Sequence, residues 1–71
     1  MRRSKNALEL IAGLRIGEPV VMRESEHKIR IIADELRRRR GWAGPRVLKI
    51  TEATDVKRLV GEVWNRVERL A

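Results

Sequence analysis

A chain of 71 residues with no cysteine has room for one small core, and it excludes both a disulfide-stapled fold and a thiolate zinc site. Its 17 basic residues, thirteen of them arginine, outnumber ten acidic ones for a net charge of +7, which favours anionic partners such as nucleic acid, an acidic protein or an anionic membrane. No run approaches the ~20 apolar residues of a membrane span, and the apolar stretch behind Met1, Arg2, Arg3 and Lys5 is broken by Glu9 and Gly13, unlike a signal peptide.

Residues 1–5 read as a basic flexible tail and 6–71 as a single α+β domain. Leu8, Leu10, Ala12, Leu14 and Ile16 alternate as a strand would, while Ala7, Leu8, Ile11 and Leu14 suit a helix. Ala, Leu and Glu favour the short helix, with Ser4 or Asn6 as its cap. Gly17-Glu18-Pro19 marks a turn, and Val20, Val21 and Met22 a short strand. Pro19 has no N–H for a ladder and belongs at the strand's first position or on an edge.

The second helix starts at Ser25, a good N-cap, and buries Ile29, Ile32, Ala33 and Leu36 along one stripe. Glu26–Arg30, Asp34–Arg38 and Glu35–Arg39 are opposite charges one turn apart. Arg37 to Arg40 fill the last turn, and Gly41 ends it. After the loop Trp42-Ala43-Gly44-Pro45, residues Arg46 to Thr51 alternate as a strand, with Leu48 and Ile50 opposite Val47 and Lys49.

Thr54 then caps an expected last helix. Val56, Leu59, Val60, Val63, Val67 and Leu70 form its stripe, with Trp64 at the margin and Gly61 on the polar side. The expected order is α-β-α-β-α, with a small two- or three-stranded sheet packed on helices. The two strands suit parallel pairing across the second helix. A third strand would come from residues 8–16, or from a second copy in a homodimer.

Catalysis has little to draw on. His27, the only histidine, lies opposite the buried stripe, and no Ser–His–Asp set is indicated with Ser4, Thr51 or Thr54. The glycines form no phosphate loop, and the carboxylates show no metal-ligand spacing. The expectation is a protein that is not an enzyme, with no cofactor, no metal and no membrane partner, in the cytoplasm.

The segment Arg37-Arg38-Arg39-Arg40-Gly41-Trp42 is the most unusual stretch. Guanidinium forks match phosphate oxygens, and an indole can stack on a base. Arg2 and Arg3 could follow a backbone as basic arms do, and Arg46 and Lys49 would extend the patch. Each has a plainer explanation: the helix dipole stabilises cations at its C-terminus, a Trp after a helix often covers the core, and charges protect edge strands. With neither Phe nor Tyr an aromatic RNA-binding sheet is excluded, and a helix–turn–helix is not indicated. The expected partner is DNA or RNA held through its backbone by Arg2, Arg3, Arg37, Arg38, Arg39, Arg40, Arg46 and Lys49, with Trp42 beside them. The alternative is a small protein-interaction module, an inhibitor or adaptor.

Leu14-Arg15-Ile16-Gly17-Glu18-Pro19-Val20-Val21, with Ile29-Arg30-Ile31-Ile32-Ala33 and Arg38-Arg39-Arg40-Gly41-Trp42, resembles a pattern in short, mostly uncharacterised bacteriophage-encoded basic proteins. The resemblance spans about residues 8–50. It implies a phage or mobile-element origin and, with it, a host cell as the setting. Those proteins continue in strands where a terminal helix is expected here, and no functional residue carries over.

Overall fold

The computed structural model describes residues 6–57 and 59–71; the 1–5 tail, with Ser4 as candidate cap, and Arg58 lie outside them. The ambiguous first segment is a helix, α1 (Ala7–Ala12). Asn6 caps it, its Oδ1 accepting from the Glu9 N–H at 2.9 Å, and Ile11 is fully buried. Pro19 takes the first place in β1 (Pro19–Met22), an edge strand where its missing N–H costs little.

The second helix, α2 (Glu26–Arg40), forms as its residues dictate. Ser25 Oγ accepts from the Lys28 N–H at 3.2 Å. Gly41, at φ 73°, turns the chain out of the helix while its N–H donates to the Arg37 carbonyl at 3.1 Å. Ile29, Ile32, Ala33 and Leu36 are buried together. All three i,i+4 ion pairs form, at 2.9 Å for Glu26–Arg30, 3.0 Å for Asp34–Arg38 and 2.7 Å for Glu35–Arg39.

The next strand, β2 (Leu48–Glu52), begins two residues later than the alternation suggests. Pro45, with its fixed φ, opens a 3-10 turn over Pro45–Val47. That turn buries Val47 beside Leu48 instead of directing it to the opposite face.

The expected terminal helix does not form. Thr54 caps no helix, residues 53–64 carry no regular element among the described residues, and a third strand, β3 (Asn65–Arg69), follows. Of the proposed stripe only Val67 is buried; Leu59, Val60, Val63 and Leu70 are exposed. The order is therefore α-β-α-β-β. Nor do β1 and β2 pair with each other. β3 lies between them, antiparallel to both, with Val67 opposite Val20 on one side and Ile50 on the other. Neither residues 8–16 nor a second copy supplies the third strand.

Two physical reasons account for this. Two short strands make a poor sheet, and a middle strand gives each a full ladder. The segment also carries four valines, whose branched Cβ suits a strand better than a helix. The result is an α+β domain of two helices and a three-stranded antiparallel sheet. Val20, Met22, Leu48, Ile50 and Val67 pack with α1 and α2 in one cluster. By alternation Val21, Lys49, Thr51, Arg66 and Glu68 share the other sheet face.

Gly61 separates the two arrangements by sign. It stands third in a turn closed by the Glu62 N–H on the Leu59 carbonyl at 3.2 Å, with φ 88° and open space where a Cβ would be. In a helix Gly61→Ala would gain about 1 kcal/mol. Here the left-handed backbone makes it cost about 1–2 kcal/mol. A fall in the urea midpoint is expected; a rise would restore the helix.

Candidate nucleic-acid interface

Nine residues were singled out by their chemistry, and ion pairing divides them. Arg2 and Arg3 lie outside the described residues. Arg37 donates through Nε and Nη2 to Asp34 Oδ1 at 3.4 and 3.3 Å. Arg38 meets Asp34 Oδ2 at 3.0 Å and Glu35 Oε2 at 3.6 Å, and Arg39 meets Glu35 Oε1 at 2.7 Å. Two carboxylates thus serve three guanidinium groups. These pairs are open to solvent, where an i,i+4 contact contributes about 0.3–0.5 kcal/mol.

Arg40, Arg46 and Lys49 are exposed and meet no carboxylate among the described residues. They fall on consecutive elements: Arg40 ends α2, Arg46 sits in the 3-10 turn and Lys49 lies on β2. Arg37 joins Arg46 in lining a depression whose other walls are Ala43 and Pro45. The C-terminal carbonyls of α2 carry partial negative charge, so an anion must meet the arginine heads and not the helix axis.

Trp42 belongs with the core. It is half-buried against the hydrophobic cluster, and the Arg69 guanidinium carbon lies 4.3 Å from its ring centroid. Arg69 also donates to the Leu14 carbonyl at 3.0 Å and the Ala71 carbonyl at 2.9 Å. One face of the indole is therefore already covered. Arg69 escaped the sequence reading because a helix was expected there. Gly44, which seats the loop against Arg37, was also passed over; its signal was the Gly-Pro pair that marks a tight turn.

Elsewhere carboxylates hold Arg66 and Arg23 in structural roles. Arg66 Nη2 donates to both oxygens of Asp55, at 2.9 and 2.8 Å. This contact holds the Asp55 carboxyl below its ordinary pKa. Glu62 accepts from Trp64 Nε1 at 2.8 Å and from Arg23 Nη1 at 3.3 Å. The indole hydrogen bond, ahead of the Arg23 charge, lowers its pKa as well. A lowered carboxyl pKa stabilises the fold above the unfolded value and loses that contribution as pH falls through the folded one. Both contributions are expected in full above about pH 5 and to fade as acid passes below about pH 4. Thermal melts across that window should show it, and Glu62→Gln should flatten the slope; an unchanged slope would remove Glu62 from the account.

His27 is exposed, and no three His, Asp or Glu side chains gather as a metal-ligand set among the described residues. No helix among them is long and apolar enough to cross a membrane. No family model, curated protein or solved structure matches the chain.

Proposed function

We propose that this chain is a non-catalytic nucleic-acid-binding protein, accessory or regulatory in role, that holds phosphates by charge and does not read bases. One observation carries the reading: Arg40 at the end of α2, Arg46 in the turn, and Lys49 on the outer face of β2 across from Glu68 stand exposed and form no ion pair among the described residues. Arg38 and Arg39 stay with Asp34 and Glu35 and lie outside this contact set. A net charge of +7 adds long-range attraction. Trp42 is committed to Arg69 and the core and is not counted as a base-stacking group. The target is DNA or RNA held by its backbone, and a phage origin, inside a host cell, rests on the sequence resemblance alone.

The test is anisotropy titration of labelled duplex DNA and duplex RNA at 50 and 200 mM salt. Affinity is expected to fall steeply, with a slope of about −0.9 per phosphate contact on duplex DNA. No binding at 50 mM, or binding indifferent to salt, overturns the reading.

A second reading, a protein-interaction module, is favoured by the apolar tip of the 53–64 loop. Leu59 is 74% exposed, Val60 fully so and Val63 half so. Large side chains rarely stand this open in a group without a partner. Capture of a host protein after nuclease treatment, lost on Leu59→Ser with Val60→Ser, would select this alternative.

A further inference from the structure

We infer that Arg37 and Arg46 together form a seat for a single phosphate group in the joint between α2 and the turn behind it. The inference starts from a glycine. Gly44 is buried at φ 87°, and a Cβ there would stand 3.0 Å from Arg37 Cδ and 3.6 Å from its Nε. Any other residue would be strained in its backbone and would press on that side chain. Glycine alone lets the loop lie along the aliphatic stem of Arg37. That contact brings Arg46 and Arg37 to opposite ends of one short loop and makes them the charged walls of one depression, about 400 Å³, completed by Ala43 and Pro45.

No carboxylate lines this depression. Arg46 has no acidic partner among the described residues, and Arg37 shares Asp34 with Arg38. The Arg37 contacts to Asp34, at 3.3 and 3.4 Å, are longer than the 2.7–2.9 Å usual for charged pairs. They use Nε and Nη2 and leave Nη1 without an acceptor among the described residues. Two cationic residues lining one hollow favour an anion between them. Their forked donors fit the tetrahedral oxygens of phosphate. Arg38 and Arg39 line no part of it.

The choice of phosphate as the anion rests on the nucleic-acid reading above; its source is a diester of the backbone or a free phosphate. Arginine side-chain Nε–H resonances distinguish these when the full chain is titrated at low salt with inorganic phosphate and, separately, with a twelve-residue oligothymidylate. Arg37 and Arg46 are expected to shift with both probes, while Arg38 and Arg39 stay in place. Arg46→Gln should weaken phosphate binding about tenfold or more. The charge-neutral pair Glu35→Gln with Arg39→Gln should leave it within twofold. Shifts with inorganic phosphate alone keep the seat and remove the nucleic-acid reading. Oligonucleotide binding that leaves Arg37 and Arg46 unmoved keeps that reading and overturns the seat, as do equal shifts at all four arginines or shifts at none.

Discussion

Leu36→Ala is expected to leave a large fraction of the molecules unfolded at 25 °C. Leu36 is fully buried on the inner stripe of α2 and belongs to the single cluster that joins both helices to the sheet. Truncating a buried leucine costs about 2–5 kcal/mol, since the lost apolar contact and the cavity add together. A core in a chain this short supplies roughly 3–5 kcal/mol in total. One side chain therefore carries a share comparable to the whole. Circular dichroism and urea titration would show a collapsed midpoint, and polyanion binding should fall with it, because Leu36 anchors the turn from which Arg37 to Arg40 project. A variant with the parental midpoint would mean that α2 does not pack on the sheet through this face.

The second large effect concerns charge. Alanine at Arg40, Arg46 and Lys49 together should reduce the salt slope on duplex DNA by about 2.7, at about 0.9 per contact, and weaken binding at 50 mM salt by more than tenfold. The charge-neutral pair Glu35→Gln with Arg39→Gln should leave the slope unchanged. The contrast matters more than either number, because it asks whether unpaired cations, and not arginines in general, hold the ligand. Arg40 also sits at the negative end of the α2 dipole, so its loss costs about 0.3–1 kcal/mol of stability. A melting curve on the triple variant keeps that effect apart from binding. Equal slopes for the triple and the neutral pair would show diffuse attraction with no defined surface.

The second helix could be read residue by residue. Its cap, stripe, terminator and i,i+4 pairs are local devices that act within a few positions of one another, and each survives in the structure. β3 could not. A half-buried strand usually declares itself by alternating apolar residues, but in Asn65-Arg66-Val67-Glu68-Arg69 only Val67 is apolar. The other two inward positions are polar and are satisfied by distant partners: Asn65 Nδ2 donates to the Glu24 carbonyl at 2.7 Å, and Arg69 reaches Leu14 and Trp42. Those partners are invisible to a local pattern. The spacing of Val56, Leu59, Val60, Val63 and Val67 matches a helix, but the pairing needs of β1 and β2 decide the segment. For the candidate site, residue types were legible, whereas their pairing was only half so. Asp34 and Glu35 could be matched to Arg38 and Arg39 by spacing, but the contact between Gly44 and Arg37 spans a loop and needed coordinates.

The central position of β3 also sets the order in which the molecule can be made. A ribosome delivers α1, β1, α2 and β2 first, and the nascent chain then holds two strands that are not neighbours in the finished sheet. Met22 waits for Asn65 and Pro19 for Glu68, so the sheet closes only when residues 65–69 emerge. Until then the two helices can meet, but their apolar faces have no floor. The last strand thus locks the domain, and a chain that pauses before Asn65 exposes open strand edges to its neighbours.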